Sequence, residues 1–125
     1  MANELTLSVS LGYLKNSTTV ERSVQGLQVT VAGNGLNSLT AYSAPTAETA
    51  IPLGSVTSPG GWLYLLNSDS TNYVTVRTQV GGEIMAILEP GEFMVLPMPN
   101  TSPIVVPSTQ SNTAPCLMSL AVFDK

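Results

Sequence analysis

Carboxylates and a single thiol are the side chains of this sequence with the greatest capacity for chemistry, because it contains no histidine. Histidine is the commonest general base, and without it neither a Ser-His-Asp nor a Cys-His arrangement can form. Glu89 and Glu92 flank a Pro-Gly turn and could lie close together, like the paired acids of a glycosidase. Acids beside a turn are usually just solvated, so we predict no catalytic residue and no enzymatic activity.

A second oxygen-rich group, formed by Asn67, Asp69 and Asn72, superficially resembles a cation-binding loop. It lacks the run of acids and the closing glutamate of a calcium loop. Asn and Asp side chains at this spacing favour hydrogen bonds to their own backbone, so we predict a structural turn. A lone cysteine, Cys116, cannot build a structural zinc site and is predicted to be a small buried apolar side chain. We therefore predict no metal and no cofactor.

The charge inventory argues against two classes of partner. Four basic residues stand against eight acidic ones, for a net charge of −4. Binding to polyphosphate or to an anionic membrane requires several lysines or arginines, so neither nucleic acid nor membrane is expected as a partner. The first residues lack a basic secretory start, and we expect synthesis and folding in a cytoplasm. Charged residues make up 10% of the chain, well under the ~25% of typical soluble domains, which suits a protein packed among neighbours.

The elements that position these residues are predicted from a hydrophobic period of two. Leu5, Leu7, Val9 and Leu11 alternate with polar residues, the pattern of a half-buried strand. Nine prolines and ten glycines divide the chain into short pieces. The sequence predicts an all-β, antiparallel β-sandwich or jelly-roll-like fold of about ten short strands. The predicted strands are 4–11, 26–32, 38–43, 50–56, 62–67, 73–79, 83–89, 92–98, 103–106 and 116–123.

Domain organisation follows from length, because 125 residues is the usual size of one domain. We predict a single domain over residues 1–125, with residues 1–4 and 15–23 flexible until bound. In the second half, turn signals at 67–72, 81–82 and 90–91 predict three successive hairpins.

The strands predicted at 62–67, 83–89 and 92–98 are apolar on both sides. A two-layer sandwich needs only one apolar face per strand, so the second face is covered either by loops or by another subunit. The second alternative predicts an obligate oligomer. The candidate interface consists of Trp62, Tyr64, Leu66, Tyr73, Met94 and Leu96.

A different interpretation treats Trp62, Tyr64 and Tyr73 as an aromatic platform for a sugar ring. Packing in the core or against a subunit is the simpler role for aromatic side chains within apolar strands. The sugar-binding interpretation remains open, since it requires only that the three aromatic faces be exposed together.

One stretch of the sequence has a pattern of strands and turns that goes beyond composition. A strand from Trp62 leads into an Asn-x-Asp-x-Thr-Asn-Tyr-Val turn at Asn67 to Val74, and a Pro-Gly-Glu turn follows at Pro90 to Glu92. In these features residues 47–98 resemble a group of small virion proteins of tailed bacteriophages, encoded among the head and tail genes. The resemblance carries no functional residues, because the matching positions are those that any hairpin needs.

The resemblance implies a β-sandwich structural component of the virion. Its best-fitting role is that of a capsid decoration (cement) protein, located on the outer surface of the assembled head and bridging its subunits. The implied partners are the major capsid protein and copies of the chain itself, with a trimer favoured. A tail, baseplate, head-fibre or minor capsid component is the alternative, and a carbohydrate- or receptor-binding module is a further one.

Overall fold

The computed structural model describes residues 5–29, 31, 33, 35–57, 60–101 and 103–124. All ten strands in this part of the chain pair antiparallel, and it contains no helix, which confirms the predicted all-β class. Where the sequence predicted one domain, the chain divides into two compact units, residues 1–32 and 33–125. The strands are β1 (Leu5–Lys15), β2 (Thr18–Val29), β3 (Leu36–Ala44), β4 (Thr49–Ala50), β5 (Trp62–Asn67), β6 (Val74–Arg77), β7 (Ile84–Leu88), β8 (Phe93–Pro97), β9 (Ser108–Ser111) and β10 (Cys116–Phe123).

In the first unit, β1 and β2 form a two-stranded ribbon. They are joined by Asn16 and Ser17, both with positive φ, as a two-residue type I′ connection requires. Residues 15–23, predicted to be flexible, therefore form the tip of this ribbon, with a strand already under way at Thr18. The predicted flexibility of residues 1–4 lies outside the described residues.

A β-bulge in β2 keeps the apolar side chains of β2 on the same face of the ribbon as those of β1. Leu7 pairs with Leu27 and Val9 pairs with Val24, so β2 has one more residue than β1 across this step. Gly26 lies here with a φ of +63°, and its N–H donates to Ser8 Oγ at 3.0 Å. The extra residue shifts the side-chain alternation of β2, as bulges do, and apolar residues before and after it share one face.

The second unit is one long antiparallel ribbon folded over on itself. Its strands pair first with last, moving inward: β3 with β10, β4 with β9, β5 with β8, and β6 with β7. Closing pairs of β10 with β5 and of β9 with β6 complete two four-stranded sheets. The first sheet has the order β3-β10-β5-β8 and the second β4-β9-β6-β7. This eight-stranded, two-sheet arrangement is a jelly roll, one of the two predicted architectures.

The core of the second unit lies between its two sheets. Leu63 and Leu65 of β5, Val74 and Val76 of β6 and Leu120 of β10 are among its fully buried side chains. Successive side chains of a strand point to opposite faces, so the residues between these buried ones form the outer faces of the two sheets.

Two of the three predicted hairpins are wrong. The pair β6–β7 is a true hairpin, turning through Gln79 to Gly82. The turns at 67–72 and 90–91 instead carry the chain from one sheet to the other, because β5 and β8 belong to the first sheet while β6 and β7 belong to the second.

Three predicted strands are displaced. The strand predicted at 26–32 begins at Thr18 and ends at Val29. Of the strand predicted at 50–56, only Ala50 lies in a strand, β4, although Ile51 and Val56 are buried in the core. The strand predicted at 103–106 lies instead at Ser108–Ser111, a polar segment whose first two residues are buried. Residues 104–106 lie outside any strand, between two prolines that cannot donate to a ladder.

Candidate functional site

The outer face of the first sheet is apolar over much of its area. In the register of this sheet, Tyr64 of β5 stands between Val95 of β8 and Ala121 of β10, and Trp62 stands next to Phe123. Phe93 at one end of the face is 58% exposed, and Leu36 at the opposite edge strand is 51% exposed. We call this surface the sheet face; its members are Leu36, Trp62, Tyr64, Leu66, Phe93, Val95, Leu117, Ala121 and Phe123.

The structure separates the six predicted interface residues into three groups. Trp62, Tyr64 and Leu66 lie together on the sheet face, half-buried. Met94 and Leu96 pair with Leu65 and Leu63 and point with them toward the core, which corrects their inclusion in one candidate interface with Trp62. The physical reason is strand alternation, since residues directly opposite each other share a face.

Tyr73 lies apart from the other predicted residues. It directly precedes β6 in the second sheet and is 37% exposed. Trp62 and Tyr64 belong to the first sheet, so the structure does not bring the three aromatics of the sugar-platform interpretation onto one surface.

The outer face of the second sheet is mixed. On its edge strand β7, Ile84 and Ile87 stand opposite Arg77 and Thr75 and are 56% and 49% exposed, whereas β6 and β9 present hydrogen-bonded polar side chains. Arg77 Nη1 donates to Gln110 Oε1 at 2.8 Å and lies 3.9 Å from Glu48 Oε1. That carboxylate accepts from Ser108 Oγ and from the Gly81 N–H, both at 2.9 Å, and these two bonds are the main cause of its lowered pKa. The polar part of this surface gains little from covering, and its apolar side chains are confined to the edge strand β7. On the sheet face the apolar side chains extend over all four strands.

The ribbon carries a second unpartnered apolar surface. Because of the bulge, one face of the ribbon collects nearly all its apolar side chains, while the other presents mainly Ser, Thr, Gln and Glu. Leu11 on the apolar face is 60% exposed and Tyr13 is 50% exposed. A groove of about 380 Å³ runs over this face, lined by Val9, Leu11, Arg22, Ser23 and Val24. We call this surface the ribbon face; its members are Leu5, Leu7, Val9, Leu11, Tyr13, Val20, Arg22, Val24, Leu27 and Val29.

Several residues of these surfaces were missed by sequence reasoning. The alternation of β8 shows that Phe93 and Val95 share one side of the strand. Only the pairing of β8 with β5 shows that this side faces away from the core. Val20 was missed because residues 15–23 were predicted to be flexible, and Val24 was missed because the predicted strand began at residue 26. The usable signal was the switch of apolar residues from even to odd positions across Gly26, which marks a bulge.

The polar cluster at 67–72 is a structural turn, as predicted. Asp69 Oδ1 accepts from the backbone N–H groups of Thr71 and Asn72 at 2.8 and 2.9 Å, and Oδ2 accepts from the Leu117 N–H at 3.1 Å. These bonds hold the pKa of Asp69 at about 2. With both oxygens committed to backbone donors, the carboxylate joins the turn to β10. In the described residues there is no cluster of three or more His, Cys, Asp or Glu side chains that could hold a metal ion.

Cys116 is fully buried, as predicted, and its thiol lies 3.2 Å from Asn67 Oδ1. Burial, followed by the negative charge of Asp69, raises the pKa of this thiol to about 11. The thiolate is the reactive form of cysteine, so the thiol is inert at neutral pH.

The two acids that could form a catalytic pair have a turn role. Glu92 Oε2 accepts from the Glu89 N–H at 2.8 Å, and the Glu92 N–H donates to the Glu89 carbonyl at 3.0 Å. A separate cavity of about 210 Å³ has no titratable side chain in its lining, which consists of Thr78, Met85, Leu96, Pro97, Pro99, Val105 and Pro107.

The second unit is a jelly-roll β-sandwich and the first is an amphipathic β-ribbon, and each carries an apolar face. A comparison with protein-family models, curated proteins and solved structures finds no significant match to the chain. No helix in the described part of the chain is long and apolar enough to cross a membrane.

Proposed function

We propose that this protein is a structural component of a tailed-bacteriophage virion, with a decoration role on the outer surface of the assembled head. Its partners in this role are the major capsid protein and further copies of itself. The resemblance of residues 47–98 to small phage virion proteins supports this proposal. The fold is compatible with it, since jelly rolls recur in viral capsid domains, although they also occur in lectins and other proteins.

The ribbon face is the observation that carries the proposal. Exposed apolar surfaces beyond a few hundred Å² mark interaction sites, and here such a surface lies on a two-stranded element that packing must stabilise. A decoration protein needs surfaces of this kind, because it acts by binding neighbouring subunits. Symmetric assemblies repeat each weak contact many times, so the apolar area of one copy does not have to secure attachment alone.

The copy number in purified virions of the source phage tests this role. Quantitative mass spectrometry should find between about one-sixth and one copy of this protein for each major capsid protein, as a repeating lattice position requires. A ratio of a few per cent would overturn decoration and favour the tail, the baseplate, a head fibre or a unique vertex. Absence from the particle would overturn the virion role altogether.

A further inference from the structure

We propose that the ribbon face of one chain packs on the sheet face of a second copy of the same chain. This inference rests on the proposed structural role and deepens it, by naming the partner of each apolar surface. A single type of contact then covers the ribbon face and the sheet face together.

The ribbon requires such a cover. Two-stranded ribbons are at best marginally stable in water, and they gain stability from a third strand or from packing on another layer. Its residues from Ser8 to Gln28 are all exposed, including Leu11 and Tyr13 in the half of the apolar face nearer the turn. The opposite face is polar, so the ribbon needs one covering layer and no more.

The sheet face has the shape and chemistry of that layer. A ribbon laid on it would form a third β-layer, stacked at the ~10 Å spacing at which sheets pack. Trp62, Tyr64 and Leu66 are half-buried and Phe93 is exposed, so this face still has apolar area to lose. Aromatic rings at the centre of a surface are typical anchors of protein interfaces.

We call the arrangement in which each copy places its ribbon face on the sheet face of the other reciprocal exchange. The area that it can bury favours it over a contact between two ribbons. Eleven residues of β1 and the width of two strands give the ribbon face a footprint of roughly 35 by 10 Å. Stable interfaces bury about 800 Å² on each partner. Two ribbons face to face would contribute roughly 350 Å² each, whereas reciprocal exchange uses one ribbon face and one sheet face per copy and roughly doubles this footprint.

The distribution of charge favours the same arrangement. Among its described residues the ribbon has Lys15 and Arg22 against Glu21, while those of the second unit have one cation, Arg77, against six carboxylates. Arg22 lies within the ribbon face, opposite Leu11. Two ribbons packed together would bring two such guanidinium groups toward each other. On the sheet-bearing unit, the long side chain of Arg22 can instead reach past the edge of the ribbon. Two carboxylates lie beside residues of the sheet face, since Glu92 directly precedes Phe93 and Asp69 accepts from the Leu117 N–H.

Cross-linking of mixed copies tests the exchange. Two full-length variants, Leu11→Cys and Tyr64→Cys, are purified separately, one of them labelled with ¹⁵N. They are then mixed and treated with a short bis-maleimide. We expect a product of twice the 13.1 kDa chain mass that joins a labelled to an unlabelled chain, at least fivefold more abundant in the mixture than with either variant alone. Cys116 does not compete, because it is fully buried and its thiol is protonated.

Every other pattern of cross-links overturns the inference. A product joining Leu11→Cys to itself would show that ribbons pack on each other. A double variant that cross-links only within one chain would show that the ribbon covers its own sheet. No product, with both thiols shown to react with maleimide, would show that the faces do not meet.

The fluorescence of Trp62, the single tryptophan of the chain, provides a matched readout. Leu11→Asp should release copies to 13.1 kDa in light scattering and raise acrylamide quenching of Trp62 at least twofold. Ser10→Asp, on the opposite face of the ribbon, should change neither quantity. These measurements use the isolated protein, so a monomeric natural chain would overturn the exchange. The virion role would then still be decided by the copy number in purified particles.

Discussion

Gly61→Ala is expected to lower the free energy of unfolding by about 3 kcal/mol, at the upper end of the range for overpacking a filled site. A Cβ at this position would overlap the backbone carbonyl oxygen of Phe123. The glycine is buried just before β5, and its own carbonyl accepts from the Met98 N–H at 2.7 Å. Neither backbone can move without disturbing the first sheet, so the clash has no inexpensive relief.

Urea denaturation followed by Trp62 fluorescence measures this effect. Gly12→Ala is the matched control, because nothing lies within 4 Å of a Cβ built at that position, and its effect should stay within about 0.5 kcal/mol. Equal stability of Gly61→Ala and the natural chain would contradict the close approach of β10 to this residue.

Asn67→Asp is expected to cost about 4 kcal/mol, although it changes the shape of the side chain very little. The amide nitrogen of Asn67 donates to the carbonyls of Asn72 and Leu88 at 2.9 and 2.8 Å, inside the protein. A carboxylate cannot donate to either carbonyl, and each buried group left unpaired costs about 1–3 kcal/mol. The new charge would also be buried close to that of Asp69.

Thermal or urea unfolding at neutral pH measures this loss. Ser68→Ala is the control: its hydroxyl is exposed and makes one bond, to the Leu117 carbonyl at 3.2 Å, so its removal should have a small effect. A difference under about 1 kcal/mol between Asn67→Asp and the natural protein would refute the role assigned to the amide.

Asp69 makes the stability of the same turn depend on pH. Its pKa of about 2 in the folded protein lies below the ordinary 3.8, so its contribution to stability is fully present above about pH 4. The contribution is lost as pH falls through 4 toward 2, where the folded protein also takes up the proton. Asp69→Asn should therefore flatten the acid limb of a stability–pH curve, and an unchanged limb would contradict the bonding described here.

The all-β class and the positions of the central strands were predictable from the sequence. Trp62 to Leu66 and Cys116 to Phe123 alternate or run apolar between clear turn signals, and the structure places β5 and β10 there. The turn role of Asp69 was also predictable, because it depends on local spacing alone.

The pairing of the strands was not predictable in the same way. A turn such as Pro90–Gly91 reverses the chain equally well within one sheet or between two, so local signals suggested hairpins where the jelly roll crosses between sheets. The inward placement of Met94 and Leu96 depended on the same long-range register.

Strand β9 was missed for a different reason. Ser108, Thr109 and Ser111 are buried although they are polar, and hydrophobic periodicity does not detect such a strand. Ser108 is satisfied by Glu48 and Ser111 by the Ala114 carbonyl, both through contacts that only the folded chain provides.

Hydrogen exchange of the assembled protein tests most directly whether other chains cover its apolar β-faces. Deuterium uptake is compared for peptides from Leu5–Lys15, Thr18–Val29 and the core strand Cys116–Phe123. We predict that amides of the ribbon exchange within about tenfold of the core rate in the assembly, since covered strands share its protection. Complete exchange of the ribbon at the first time point, with the core still protected, would contradict the account.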